Sequence, residues 1–261
     1  MHKYMFHVHH LLHHLCRRNI FLSGFIFAVA SSSALASDTN IVQNTKVFKL
    51  ELGATRIIYH PVDRGGQLSV ANPQAFPVLV QSRVFKEDRK TQAPFVVTPP
   101  LFRLDPNQRN TLRVISTNVP VGEKESLNWL CVTGIPPKNG DAWAEDKTQG
   151  PVRQAQVNME ISTHMCIKLI TRPENISGSM MEAASSLQWH REGNMIKAKN
   201  NSPYYINLHS LSVGKTPVEH PEYIPPFSDR GFNLKTKPGD TVNWSVITDA
   251  GGESRRYSAQ M

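Results

Sequence analysis

From residue 47 to the end, Pro, Gly and Asn interrupt the chain so often that only short runs with strand character fit between them. No segment carries a long helical period with caps, and the spacing reads as an all-β sandwich. Residues 47–52 alternate, with Phe48, Leu50 and Leu52 inward and Lys49 and Glu51 outward. Residues 56–59 form a short β-branched run ended by Pro61, and 67–71 stop at Asn72-Pro73. Further strand signals follow at 77–85, 95–98, 111–115 and 127–133, the last with Trp129 and Cys131 on one face.

The amino-terminal 36 residues have a different character. Lys3, Arg17 and Arg18 charge the beginning, residues 19–30 are mostly apolar, and Ala34-Leu35-Ala36 is a small-residue cleavage site. That pattern predicts a secretory signal at 1–36. The apolar run is too short to span a bilayer, and no later run reaches the roughly 20 residues required, so no membrane insertion is expected after processing. The histidines at 9, 10, 13 and 14 would leave with the signal. What remains, 37–261, holds 26 Lys and Arg against 21 Asp and Glu. These charges are scattered and lack the aromatic interleaving of a nucleic-acid groove, so nucleic acid is not an expected partner.

Cys131 and Cys166 are the only cysteines left after removal of Cys16. In an oxidising compartment such a pair predicts a disulfide. Closing a loop of about 35 residues contributes about 3.5–4 kcal/mol in the chain-entropy model. The five histidines beyond the signal (60, 164, 190, 209 and 220) show no zinc spacing with these cysteines, so neither metal nor cofactor is expected.

Between 135 and 157 the strand pattern lapses into a polar stretch of about twenty residues, a length that is functional or disordered in a compact domain. It leads into Val157-Asn-Met-Glu-Ile-Ser-Thr-His-Met-Cys-Ile-Lys168. There Val157, Met159 and Ile161 alternate with Asn158, Glu160 and Ser162. The alternation alone leaves two uses open: packing on the domain's own core, or presentation to another protein. Residues 171–174 read as a linker. A second set of strand signals then occupies 187–190, 195–199, 204–210, 242–247 and 255–258, enough for a smaller β domain.

In order along the chain stand Thr55-Arg56-Ile57-Ile58-Tyr59, Ala71-Asn72-Pro73, and Thr98-Pro99-Pro100-Leu101-Phe102-Arg103-Leu104. Next come 123–132 around Trp129, Gly134-Ile135-Pro136-Pro137-Lys138, and Cys166-Ile167-Lys168-Leu169. Arg172-Pro173, Ser202-Pro203-Tyr204-Tyr205 and Asp249-Ala250-Gly251-Gly252 complete the set. Together they resemble the periplasmic chaperones of the chaperone–usher pathway. The cysteine pair and long loop are similar to the branch serving thin fibres, capsules and afimbrial adhesins.

The resemblance implies two immunoglobulin-like sandwiches, 37–170 and 171–261, arranged as an elbow around a cleft. It implies a non-enzymatic protein in the periplasm. Its partners would be a fimbrial, capsular or afimbrial adhesin subunit and an outer-membrane usher. Val157, Met159 and Ile161 would be lent to a subunit lacking its last strand, a form of β-augmentation. Arg56 and Lys168 would anchor that subunit's terminal carboxylate. Arg103, Glu125 and Asp249 would form a salt-bridge set between the domains. The segment 44–52, with Phe48 and Leu50, is a candidate second lent edge.

Two other readings compete. An enzyme would need local catalytic context, and there is no Gly-x-Ser-x-Gly elbow, phosphate loop, dinucleotide fingerprint or paired-carboxylate motif. A secreted β-sandwich fibre subunit or adhesin would have a free amino-terminal donor segment and a missing last strand, whereas here the strand with Cys166 is internal and a full second domain follows it.

Overall fold

The computed structural model describes residues 42–63, 65–118, 122–137, 141–143, 156–234 and 237–261. The expected signal, 1–36, lies outside them, as does most of the long loop (138–140 and 144–155). No helix among the described residues is long and apolar enough to cross a membrane.

The first half contains β1 (Val42–Phe48), β2 (Glu51–Leu52), β3 (Arg56–Tyr59), β4 (Gly66–Ala71), β5 (Val78–Lys86) and β6 (Phe95–Thr98). It continues with β7 (Leu101–Leu104), β8 (Arg109–Ser116), β9 (Ser126–Ile135), β10 (Gln156–Ser162) and β11 (His164–Thr171). A five-stranded sheet in the order β3-β11-β9-β5-β7 faces a four-stranded sheet in the order β2-β4-β8-β6. Their inner faces share one core that includes Leu68, Val70, Val80, Leu112, Leu130 and Leu169. Period-two alternation builds this sandwich: β5 is buried at Val78, Val80, Ser82 and Val84.

The second half contains α1 (Met180–Ser185), β12 (Gln188–Glu192), β13 (Met195–Asn200), β14 (Ile206–Val213), β15 (Thr216–Pro217), β16 (Tyr223–Ile224), β17 (Ser228–Asn233), β18 (Thr241–Val246) and β19 (Tyr257–Gln260). Its sheets, β12-β13-β17 and β15-β14-β18-β19 with β16 beside β14, enclose a separate core around Trp189, Ile196, Ile206, Trp244 and Tyr257. The single turn-and-a-half helix is capped by Ser179, whose side chain accepts the Glu182 amide. It is too short to impose a helical period on the sequence. Strand β17 also escapes sequence reading, because Ser228, Asp229 and Arg230 lack apolar alternation and the strand is defined by pairing to β13.

Each sandwich is pinned by a buried asparagine. The Asn72 side-chain amide donates to the carbonyls of Phe76, Leu104 and Asp105. That of Asn200 donates to Tyr204, Ile224 and Pro225. Each ties three backbone carbonyls together through one side-chain amide. Asn72→Ala and Asn200→Ala should each cost about 1–3 kcal/mol, the penalty for stranding buried acceptors. Urea unfolding, followed by a probe in each domain, should show Asn72→Ala acting chiefly on the first and Asn200→Ala on the second.

Candidate functional site

Strands β10 and β11 form nearly one continuous strand, interrupted at Thr163. Strand β11 is fastened on both edges, antiparallel to β9 and parallel to β3. Its odd-numbered side chains, Met165, Ile167 and Leu169, pack into the first core. The same parity continues into β10 as Ile161, Met159 and Val157, but beyond Thr163 the opposing sheet has ended. These three side chains are 43%, 54% and 47% exposed, so they do not belong to the domain's own core.

Among the described strands β10 pairs only with β1, in parallel, with Met159 opposite Thr45 and Ile161 opposite Val47. One face of this ribbon carries Val157, Met159, Ile161 and the exposed Val47; the other carries Asn44 bonded to Asn158 at 3.4 Å, and Lys46 opposite Glu160. The expectation for 44–52 is corrected in part. Only 44–48 of it lies beside β10, while Glu51 and Leu52 pair with β4; Phe48 and Leu50 are buried at 1% and 4% exposure, and Val47 is the apolar side chain left outside. Phe48 turns inward because Phe76 packs on its ring at 4.9 Å, where the ribbon meets the sandwich.

The even-numbered side chains of β11 face the second domain. Cys166 stands opposite Cys131 on β9, and the two are joined in a disulfide. Lys168 stands opposite Arg56 on β3, which puts two cations side by side. Among the described residues neither has a carboxylate within salt-bridge distance. Lys168 Nζ donates to Asn207 Oδ1 at 2.5 Å and lies 4.8 Å from the Tyr223 ring centre. Arg56 Nη1 donates to the Ile247 carbonyl at 3.3 Å, while its Nε is buried without a partner. Burial, then the neighbouring Arg56, pushes the Lys168 ammonium down to about 8. Burial also lowers Arg56, with Asp249 opposing. Two partly desolvated cations with an unused donor between two domains have the chemistry to accept an anion.

A separate ion network holds the domains together. Arg172, just past β11, donates from Nε to Glu125 at 2.6 Å and from Nη1 and Nη2 to Asp249 at 2.7 and 2.9 Å. Glu125 is 2% exposed and also accepts the Tyr205 amide at 2.7 Å. The expected set is corrected: Glu125 and Asp249 bond Arg172 rather than Arg103. Arg103 lies on β7, at the far edge of the sheet, where it donates to Asp105 and to the Trp143 carbonyl. The joining cation is Arg172. Its position just past the β11 run, with the same parity as Lys168, was the signal available in the sequence.

Other contacts tighten this junction. Tyr223 and Tyr205 donate their hydroxyls to Glu87 at 2.9 and 3.3 Å. Burial, with Glu87 adding, pushes the Tyr223 hydroxyl up to about 12, so it stays a donor. Gly251 has φ +86°, and a Cβ there would lie 2.7 Å from Thr55 Oγ1, so only glycine allows this approach of the two domains.

Both halves of the chain match family models: residues 49–177 the pili and flagellar-assembly chaperone PapD N-terminal domain, and 182–258 the pili-assembly chaperone PapD C-terminal domain. The chain is 41% identical over 241 residues to the chaperone protein AggD of Escherichia coli, covering 91% of this chain and 93% of that protein. It is 40% identical over 242 residues to the chaperone protein caf1M of Yersinia pestis, covering 89% and 93%. Its fold is similar to the SafB chaperone of Salmonella enterica, solved with the SafA pilin. The TM-score is 0.74 and the identity 39%, over 85% of this chain and all of that one. The chain therefore belongs to the family of pilus-assembly chaperones, non-enzymatic proteins of two immunoglobulin-like domains.

Two outcomes follow from the electrostatics. Burial pushes the Glu125 carboxyl up, against the pull of Arg172 and the Tyr205 amide. Arg172→Ala should cost about 3–5 kcal/mol near neutral pH by leaving that carboxylate buried and uncompensated. The loss should shrink in acid. Glu125 then has a folded-state pKa raised further above its unfolded value, so the variant loses stability as pH rises through it. Urea titrations at several pH values test this. Lys168 is the opposite case. Its folded pKa is depressed, so its cost is fully present below about pH 8 and is relieved as pH rises toward the unfolded value. Lys168→Met should therefore unfold at higher urea than the wild type below pH 8, with the difference shrinking above it.

Proposed function

We propose that this chaperone works in the periplasm, after removal of a signal at 1–36, on a fimbrial, capsular or afimbrial adhesin subunit. The subunit lacks its last strand. The chaperone supplies β10 in its place, shields the subunit's core and passes it to an outer-membrane usher. The observation that carries this reading is the apolar stripe of β10, which continues the core-facing stripe of β11 into solvent. Exposed apolar side chains on a strand paired on one side are an aggregation hazard unless they have a use. That SafB was solved with a pilin supports the same assignment.

Arg56 and Lys168 bind the subunit's terminal carboxylate. From Lys168 to Ile161 the extended chain runs roughly 23 Å, and to Val157 roughly 36 Å. A subunit segment of about seven to eleven residues, held at its end by the cations, reaches the whole stripe. A fixed end matters because a one-residue slip turns every side chain to the wrong face. Burying the exposed parts of the three apolar side chains contributes roughly 1 kcal/mol each. Glu125, Arg172 and Asp249 keep the two domains in the arrangement that frames the anchor.

Co-expression with the subunit followed by affinity capture is the direct test. Met159→Glu should leave circular dichroism native and abolish capture, since it forces an unpaired charge into an apolar groove. A variant that captures normally would remove β10 from the mechanism. Arg56→Ala and Lys168→Ala should each weaken binding by about 1.5–3 kcal/mol or more, without adding, because they share one ligand. Wild-type affinity should fall as pH rises above about 8, by about tenfold per unit at most, because binding must then restore the Lys168 proton. An affinity flat from pH 7 to 10 contradicts the anchor.

A further inference from the structure

His164 is two residues before Cys166, on the same face of β11, and Thr133 lies opposite it as Cys131 lies opposite Cys166. These four side chains form a rectangle across β9 and β11. The imidazole Nε2 is 3.3 Å from Cys166 Sγ, and Nδ1 is 2.7 Å from Thr133 Oγ1. The two sulfurs and a His164 ring nitrogen all lie within 4.8 Å of one another, in the one such grouping among the described residues.

We propose that Cys131, Cys166 and His164 form a soft-metal site that the disulfide closes and its reduction opens. Two thiolates and one imidazole are a zinc- or copper(I)-type donor set, poorly suited to magnesium or calcium. The Thr133 hydroxyl can accept from Nδ1–H, which leaves the Nε2 lone pair directed at the sulfurs; that is the outer-sphere partner a ligating histidine ordinarily has. His164 is exposed and Cys166 half-buried, so a fourth position opens to water.

The step is a two-electron reduction. A dithiol donor breaks the S–S bond and transfers two electrons and two protons to Cys131 and Cys166, closing its own disulfide. A divalent cation then displaces both thiol protons and binds the two sulfurs and Nε2. The cation joins β9 to β11 where the covalent staple did, so the root of β10 stays in register under reducing conditions. The site is independent of the anion anchor, since Arg56 and Lys168 take no part in it.

The test uses the full chain in a Cys16→Ser background, with a phosphine as reductant and cobalt(II) as a visible substitute for zinc. The reduced protein should bind one cobalt with a thiolate-to-metal charge-transfer band, zinc should displace it, and the oxidised protein should give no band. His164→Ala and Thr133→Val should each weaken binding by about tenfold or more. If reduction alone loosens the first domain, zinc should restore its near-ultraviolet circular dichroism. No charge-transfer band, a reduced His164→Ala protein that binds cobalt as tightly as its parent, or a loosened domain that zinc fails to restore would each overturn the site.

Discussion

Strand β11 cannot shift by one residue without breaking a disulfide and an ion network and separating two cations that it sets side by side. Cys166 is covalently tied to Cys131, Lys168 sits opposite Arg56, and Arg172, one residue past the strand, holds Glu125 and Asp249. Sheet register is weakly set where both faces of a strand are alike, and strongly set where one face is buried. Here the core face of β11 fixes it once, and the disulfide and charges fix it again from the other face. Every position along β10 inherits that register, so the spacing between the apolar stripe and the cation pair is fixed by the fold before any partner arrives.

The junction between the domains separates its charges by role. Glu125, Arg172 and Asp249 satisfy one another, so they hold an arrangement and have little left for a ligand. Arg56 and Lys168 are kept apart from those carboxylates and are partly desolvated, with a backbone carbonyl and an amide oxygen as their hydrogen-bond partners. Buried ion pairs contribute doubtful net stability but can specify one geometry. An unpaired cation pair is a cost in the free protein, and on the proposed anchor an incoming carboxylate would remove it.

Most of the architecture was legible in the sequence. Alternation placed β5, β6 and β13 nearly to the residue, and two cysteines gave the disulfide. Four things were not legible, each for a physical reason. Alternation marks which side of a strand is apolar but not where the opposing sheet stops, so alternation alone left β10 open between core and presented strand; the geometry shows its apolar side chains exposed. Alternation read Phe48 and Leu50 as inward, yet they also stood as candidates for a lent edge, because the packing of Phe48 on Phe76 that commits them to the core is a tertiary event. Arg103 and Arg172 are both arginines at strand ends, and only the sheet order shows that Arg172 borders the second domain while Arg103 lies at the far edge. His164 escaped because zinc spacing is a local pattern, whereas its partner Cys131 arrives from a neighbouring strand.

Hydrogen exchange of the β10 amides, read residue by residue with and without subunit, tests strand lending tied to a carboxylate anchor most directly. In the free protein, amides of 157–161 should exchange faster than those of β11. Capture of a subunit with a free terminal carboxylate should slow exchange at 157–161, and a subunit amidated at that terminus should leave it fast. Unchanged exchange on capture, or equal protection by the amidated subunit, would contradict the account.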